Sequence, residues 1–273
     1  MTEMTRPEPL HIVIAGDRRV LPGLEAVVFS AMRHNTDVVW HLFTMDVQVD
    51  HADGTGTGYY GITEEDAAWL RKIVKFMDHH SDFIRHDVQE KYGEYLAESV
   101  NRETGFTPYT SLRLLADKVL DVDRCLYLDA DVIVQGDLRP PYERYGRADC
   151  DYAAYTLPGA CDGFGEMIAA VLVFNLAHIR RSGFLDRARR YYNQNLYRYP
   201  DQMALRDAGD PEPLEETYNY MQDHKLAPYK PVVLHFSNGN RYKLYTTAPG
   251  SFYRYYPEHK YIKDGLDIIR SAH

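Results

Sequence analysis

Short apolar runs alternate along the chain with stretches in which apolar residues recur every three or four positions. That alternation predicts strands and helices in turn. His11-Ile12-Val13-Ile14-Ala15 reads as a strand that ends at Gly16-Asp17, and Pro22 to Arg33 has helical spacing with Leu24, Val27, Val28, Ala31 and Met32 on one face. Val38 to Phe43 is the second strand, and the Gly- and Thr-rich stretch His51 to Gly61 reads as a loop. Thr63 caps a helix with Glu65 and Asp66 in its first turn and with Trp69, Ile73, Phe76 and Met77 facing inward. Asp82 to Val88 follows as the third strand. Thr107-Pro108 opens a helix running to about Leu120, and Cys125-Leu126-Tyr127-Leu128 is a strand leading into Asp129-Ala130-Asp131. Val132 to Val134 continues extended, a Pro- and Tyr-rich turn intervenes, and Asp151 to Tyr155 and Ile168 to Phe174 read as two more strands. Gly183 to Leu196 and Pro200 to Arg206 are helical, and Val232 to Phe236 is a late strand. The first part of the chain therefore resembles a doubly wound α/β sheet, and the less regular second part reads as an addition to it.

Length narrows this picture: 273 residues suit one large α/β domain with a smaller appendage. We expect a domain over 10–245 and a tail over 246–273. Forty acidic against thirty-one basic residues give a net charge of −9, which excludes nucleic acid as the main partner because phosphate neutralisation needs a basic face. Cys125, Cys150 and Cys161 are odd in number and lack metal-type spacing, so a reducing, cytoplasmic setting is expected. Met1 to Pro9 carries acids and prolines without the apolar core of a secretory signal, and no apolar run approaches the roughly 18 residues of a membrane span.

Chemistry concentrates at Asp129 and Asp131. One small residue separates the two acids, apolar runs flank them on both sides, and an extended chain projects them to one side. Like charges in close company at the edge of a core are costly, and a hard divalent cation offsets that cost. His235, just past an apolar strand, would complete an Asp/Asp/His set, whose mixed donors suit Mn²⁺, with Mg²⁺ as the alternative. Gly239 would let backbone approach diphosphate oxygens, and Arg241 or Lys243 would neutralise them. The run Asp53 to Gly58 lacks the Lys-Ser/Thr of a phosphate loop and reads as surface. The other eleven histidines show no ligand spacing, and His79-His80 reads as a solvated helix end.

These motifs together resemble the family 8 retaining glycosyltransferases of the GT-A fold, the group that includes bacterial lipooligosaccharide α-galactosyltransferases and glycogenin. The resemblance runs from about His11 to Lys243. Ala15-Gly16-Asp17 matches the family's uridine-holding strand end, and Ser111-Leu112-Arg113-Leu114-Leu115 matches its Arg-bearing helix before the metal strand. Asp129-Ala130-Asp131 matches the Asp-x-Asp, and Ile168-Ala169-Ala170-Val171-Leu172-Val173-Phe174-Asn175-Leu176 matches a strand that faces the donor sugar. Asp201-Gln202 and the segment from His235 to Lys243 match later signatures. The resemblance implies a nucleotide-binding sheet flanked by helices and transfer of galactose or glucose from a UDP-sugar to a glycan, lipid-linked or protein-linked hydroxyl. It implies donor contacts from Ala15, Asp17, Arg113, Ala130, Ala169, Gly239 and Arg241 or Lys243, and metal ligation by Asp129, Asp131 and His235. Asp201 would hold sugar hydroxyls, and Gln202 would stand beside the anomeric carbon. Ser111 and Ile168 depart from the family's Tyr and Asn.

Two other readings compete. A haloacid-dehalogenase-type phosphatase also sets Asp-x-Asp after an apolar strand, with the first acid as nucleophile. A non-catalytic nucleotide-sugar-binding protein is the other, favoured by Ile168 and Arg18. The tail mixes basic residues (Arg241, Lys243, Arg254, Lys260, Lys263, Arg270) with tyrosines, a composition that also fits peripheral contact with an anionic membrane.

Overall fold

The structure is a computed structural model and describes residues 8–50, 55–102, 104, 106–146, 149–158, 166–221, 229–236 and 258–272. At its centre is a seven-stranded sheet in the order β10-β8-β9-β6-β1-β2-β5. The strands are β1 (Leu10–Ala15), β2 (Val38–Thr44), β5 (Asp82–Asp87), β6 (Cys125–Leu128), β8 (Tyr152–Leu157), β9 (Glu166–Phe174) and β10 (Glu212–Pro213). β6, β1, β2 and β5 run parallel, whereas β9 is antiparallel to both β6 and β8. The mixed α/β architecture expected from the apolar alternation is therefore present.

Both faces of the sheet are covered, which is why β1 reads as a continuous apolar run. Leu10, Ile12 and Ile14 point into one core cluster with α1 (Leu21–Met32), α2 (Glu64–Met77) and a C-terminal helix, here α9 (Glu258–Ser271). Val13 and Ala15 point into a second cluster. A 3-10 helix (Pro108–Leu115), α3 (Gln89–Tyr95), α4 (Ala116–Val119), α6 (Leu176–Ser182), α7 (Phe184–Gln194) and α8 (Pro200–Ala208) supply that layer. Ile262, Leu266 and Ile269 seat α9 in the first cluster, and Arg270 pairs with Glu25 at 3.1 Å.

Several local expectations change. The stretch read as a loop contains β4 (Gly56–Tyr59), paired antiparallel with β3 (Val47–Asp50), because Thr57 and Tyr59 alternate with glycines opposite Val49 and Val47. Residues 51–54 of that stretch lie outside the described residues. The Pro-Tyr-rich turn is α5 (Arg139–Tyr145), whose prolines occupy the first turn, where no N–H is needed. Helical residues 107–120 are mostly 3-10. Ser111 Oγ donates to the Pro108 carbonyl at 2.7 Å, and six successive residues from Ser111 to Ala116 are buried, so no single amphipathic stripe forms. Phe76 is exposed; Leu70, Ile73 and Val74 carry the buried face of α2.

The parallel strands also bring together residues that no local spacing connects. Nδ1 of His11 on β1 lies 3.0 Å from Nε2 of His41 on β2, and Nδ1 of His41 lies 3.0 Å from Nε2 of His86 on β5.

Candidate functional site

β6 delivers Asp129 to the carboxyl edge of the parallel strands, the usual ligand-binding edge of such sheets. The chain then turns into β7 (Val132–Val134), which belongs to a separate three-stranded sheet with β11 (Tyr220–Met221) and β12 (Val233–His235). Two backbone bonds fix this turn: Asp129 N donates to the Ala170 carbonyl at 2.9 Å, and Phe236 N donates to the Asp131 carbonyl at 2.9 Å. Register does the rest, since His235 pairs with Val132 and so comes to stand beside Asp131.

The three expected ligands are thereby brought together. One donor atom from each of Asp129, Asp131 and His235 lies within 4.8 Å of the others. His235 Nε2 is 3.7 Å from Asp131 Oδ1, and His235 Nδ1 is buried without a hydrogen-bond partner among the described residues. Two carboxylates and an imidazole whose Nε2 stands beside one of them form a mixed oxygen and nitrogen donor set that fits a six-coordinate divalent cation.

Behind this cluster lies Arg113, whose side chain is 2% exposed. Its Nη2 donates to Asp129 Oδ1 at 2.7 Å, its Nε meets Asp201 Oδ2 at 3.1 Å and the Thr110 carbonyl at 2.9 Å, and its Nη1 donates to the Ala169 carbonyl. The guanidinium lies over the Tyr127 ring, 4.2 Å from its centroid, and the Tyr127 hydroxyl donates to Asp129 Oδ1 at 3.0 Å. Burial works against the charge on Arg113, yet Asp129, Tyr127 and Asp201 more than offset it and raise its pKa. Asp201 is buried too. Burial raises its carboxyl above the ordinary range despite the opposing pull of Arg113. Gln202 Oε1 accepts from Ala169 N at 3.1 Å, so the Ala169 peptide is gripped on both sides, by Gln202 and by Arg113.

Ala15 ends β1 one residue past the Ile14–Leu128 register pair, so Ala15 to Asp17 leave the sheet beside Asp129. Asp17 is 2% exposed. It caps a short 3-10 turn (Arg18–Val20) and accepts from Arg19 Nε at 2.6 Å. Ala130 is half-buried against the first core cluster. The Ile168 carbonyl accepts from Nδ2 of the fully buried Asn219 at 3.1 Å. Gly239, Arg241 and Lys243 lie outside the described residues. Sequence reasoning passed over Tyr127, although the two-residue period of a strand puts it on the same face as Asp129.

Comparison with known proteins bears on the family and the fold. Residues 11–144 match the sequence model of glycosyl transferase family 8. The curated glycosyltransferase GlyF of Streptococcus pneumoniae is 22% identical over 253 residues, and the match spans 84% of this chain but only 56% of GlyF, so the chain spans about half the length of that relative. Among solved structures, the galactosyltransferase LgtC in complex with donor and acceptor sugar analogs superposes with a TM-score of 0.67 at 17% identity, over 97% of this chain and 98% of LgtC. The glycosyltransferase GlyE of Streptococcus pneumoniae superposes with a TM-score of 0.66 at 19% identity, over 96% of this chain and 62% of GlyE.

Proposed function

The chain belongs to glycosyl transferase family 8 and has the GT-A fold, and from that premise we propose that it transfers galactose or glucose from a UDP-sugar to a hydroxyl of a glycan, lipid-linked or protein-linked acceptor, with retention of configuration. The observation that carries this reading is the convergence of Asp129, Asp131 and His235 on one point. These residues would hold Mn²⁺, or Mg²⁺ in its place, which when bound supplies Lewis-acid stabilisation of the departing diphosphate.

The chain's own residues then have separable tasks. Ala15, Asp17, Ala130 and Ala169 would line the nucleotide and sugar, and Gly239 with Arg241 or Lys243 would receive the pyrophosphate. Arg113 would hold Asp129 and Asp201 in place at the floor of the donor site, and Asp201 would hold sugar hydroxyls. Gln202 already spends its amide oxygen on Ala169 N. An engaged amide oxygen is a poor nucleophile, so Gln202 would position and stabilise an oxocarbenium-like state rather than form a covalent bond. Retention follows when the acceptor hydroxyl attacks from the face the diphosphate leaves, giving its proton to the departing oxygen.

Among the described residues no helix is long and apolar enough to cross a membrane. We place the protein in the cytoplasm on its cysteine usage, with peripheral contact to anionic lipid through 246–273 as a further part of the proposal. Lys263 is paired with Asp267 at 2.7 Å and Arg270 with Glu25 at 3.1 Å, so that contact would draw mainly on Arg254 and Lys260. Incubation with Mn²⁺ and a panel of UDP-sugars tests the central claim. UDP release with UDP-galactose or UDP-glucose is expected; phosphate release from a generic monoester, or binding without turnover, overturns it.

A further inference from the structure

Oδ1 of Asp129 accepts two hydrogen bonds, one from Arg113 Nη2 at 2.7 Å and one from the Tyr127 hydroxyl at 3.0 Å. A carboxylate oxygen has two in-plane acceptor sites, so Oδ1 is filled and Oδ2 is the oxygen left for a cation. Neither donor is free to move aside. Tyr127 and Arg113 are each 2% exposed, the guanidinium is stacked on the phenol ring, and Nε and Nη1 of Arg113 are tied to Asp201, Thr110 and Ala169.

We propose that Tyr127 and Arg113 are positioning residues that restrict Asp129 to one-oxygen ligation and thereby make the site prefer Mn²⁺ and Mg²⁺ over Ca²⁺. The inference rests on reading Asp129, Asp131 and His235 as a cation site and adds to it the identity of the ions refused. Ca²⁺ takes six to eight oxygens in flexible geometry and commonly grips carboxylates through both oxygens, whereas Mg²⁺ demands near-octahedral coordination and Mn²⁺ shares its preference for six ligands. For Asp129 to chelate Ca²⁺ through both oxygens, Oδ1 would have to give up a charge-assisted bond from a buried guanidinium and a bond from a buried hydroxyl at once. A one-oxygen ligand imposes no such exchange.

The test is Tyr127→Phe in the full chain, with Mn²⁺ and Ca²⁺ titrated separately by calorimetry at fixed UDP, whose own affinity for each ion is common to both proteins. Loss of an outer-shell partner weakens Mn²⁺ binding by about tenfold. Ca²⁺ binding should hold or strengthen, so the Mn²⁺-to-Ca²⁺ preference narrows by at least that factor. An unchanged preference, or equal weakening for both ions, overturns the inference, because a merely structural role would lower both affinities together. Should Tyr127→Phe fail to fold, Arg113→Lys serves instead, since it keeps the charge but loses the fork, and the preference should narrow likewise. Wild-type protein that binds neither ion overturns the cation-site reading itself; wild-type protein that prefers Mn²⁺, with variants of unchanged preference, overturns this inference alone.

Discussion

Two polar groups of side chains lie buried or half-buried at the same sheet and meet the cost of burial in opposite ways. At the tip of β6, Arg113 stands between Asp129 and Asp201, and these partners hold its positive charge against burial. Across β1, β2 and β5, His11, His41 and His86 stand in a row with like groups on either side, and the middle imidazole stays neutral. Burial first, then His11 and His86, lower the pKa of His41 from 6.5 to about 3. The contrast shows that a buried titratable group keeps its charge only where opposite charges at hand outweigh the burial. It also assigns the two clusters different vulnerabilities, removal of a partner for the first and acid for the second.

Removing the guanidinium should have the largest effect. Arg113→Met leaves Asp129 and the buried Asp201 without their countercharge, and breaking a buried pair in this way costs about 3–5 kcal/mol. Urea denaturation at pH 7 measures it. A loss below about 1 kcal/mol, the range of an exposed pair, would mean that the charges at the tip of β6 are solvated after all.

Acid should act on the histidine row next. A base whose folded pKa lies below its unfolded value stabilises the fold fully above the unfolded value, and that stability is lost as pH falls. For His41 the window runs from 6.5 down to about 3, and at pH 5 the loss amounts to about 2 kcal/mol. His11 and His86 flank it, and Glu8 and Arg124 act on His11 with opposite signs. His41→Gln keeps a polar group in the row and removes the His41 titration, while His11 and His86, also lowered by burial, still titrate, so its stability should decline less than that of the wild type between pH 6.5 and 4. Parallel decline in both proteins would locate the acid sensitivity elsewhere.

The two clusters also differ in how far the sequence discloses them. Asp129 and Asp131 stand two apart in the chain and are framed by apolar runs, so their burden of charge is visible locally, and His235 ends a strand whose register carries it to them. Arg113 is visible as a position, but its partners are not. A 3-10 turn in place of an α-helix sets which carbonyl its Nε meets, and the contact with Asp201 depends on how α8 packs. The histidine row is invisible in the same sense, because positions 11, 41 and 86 become neighbours only through the register of three parallel strands. The β3–β4 hairpin was missed for a related reason: glycines between Thr57 and Tyr59 look like a loop until Val47 and Val49 supply the partner strand. What depends on residues near in sequence was legible, and what depends on register between distant strands was not.

The smallest effect sharpens the comparison from a third place. Thr63 Oγ1 donates to Asp66 Oδ2 at 2.7 Å, a hydroxyl-to-carboxylate bond like that of Tyr127 to Asp129, but at the partly exposed start of α2. Asp66 in turn accepts from Thr63 N, completing a capping box. Burial would raise the Asp66 carboxyl, yet the bonds from Thr63 and the nearby Arg18 outweigh it and hold its pKa below the ordinary value. Thr63→Ala should therefore cost about 1 kcal/mol at pH 7, the usual worth of a cap. A depressed carboxyl contributes stability above its unfolded pKa and loses it as pH falls through the folded one. The gap between Thr63→Ala and wild type, read as thermal midpoints, should thus shrink as pH falls below 3.8, the ordinary carboxyl value. A gap that stays constant with pH would mean that the cap acts through Thr63 Oγ1 on the backbone alone, with Asp66 a bystander.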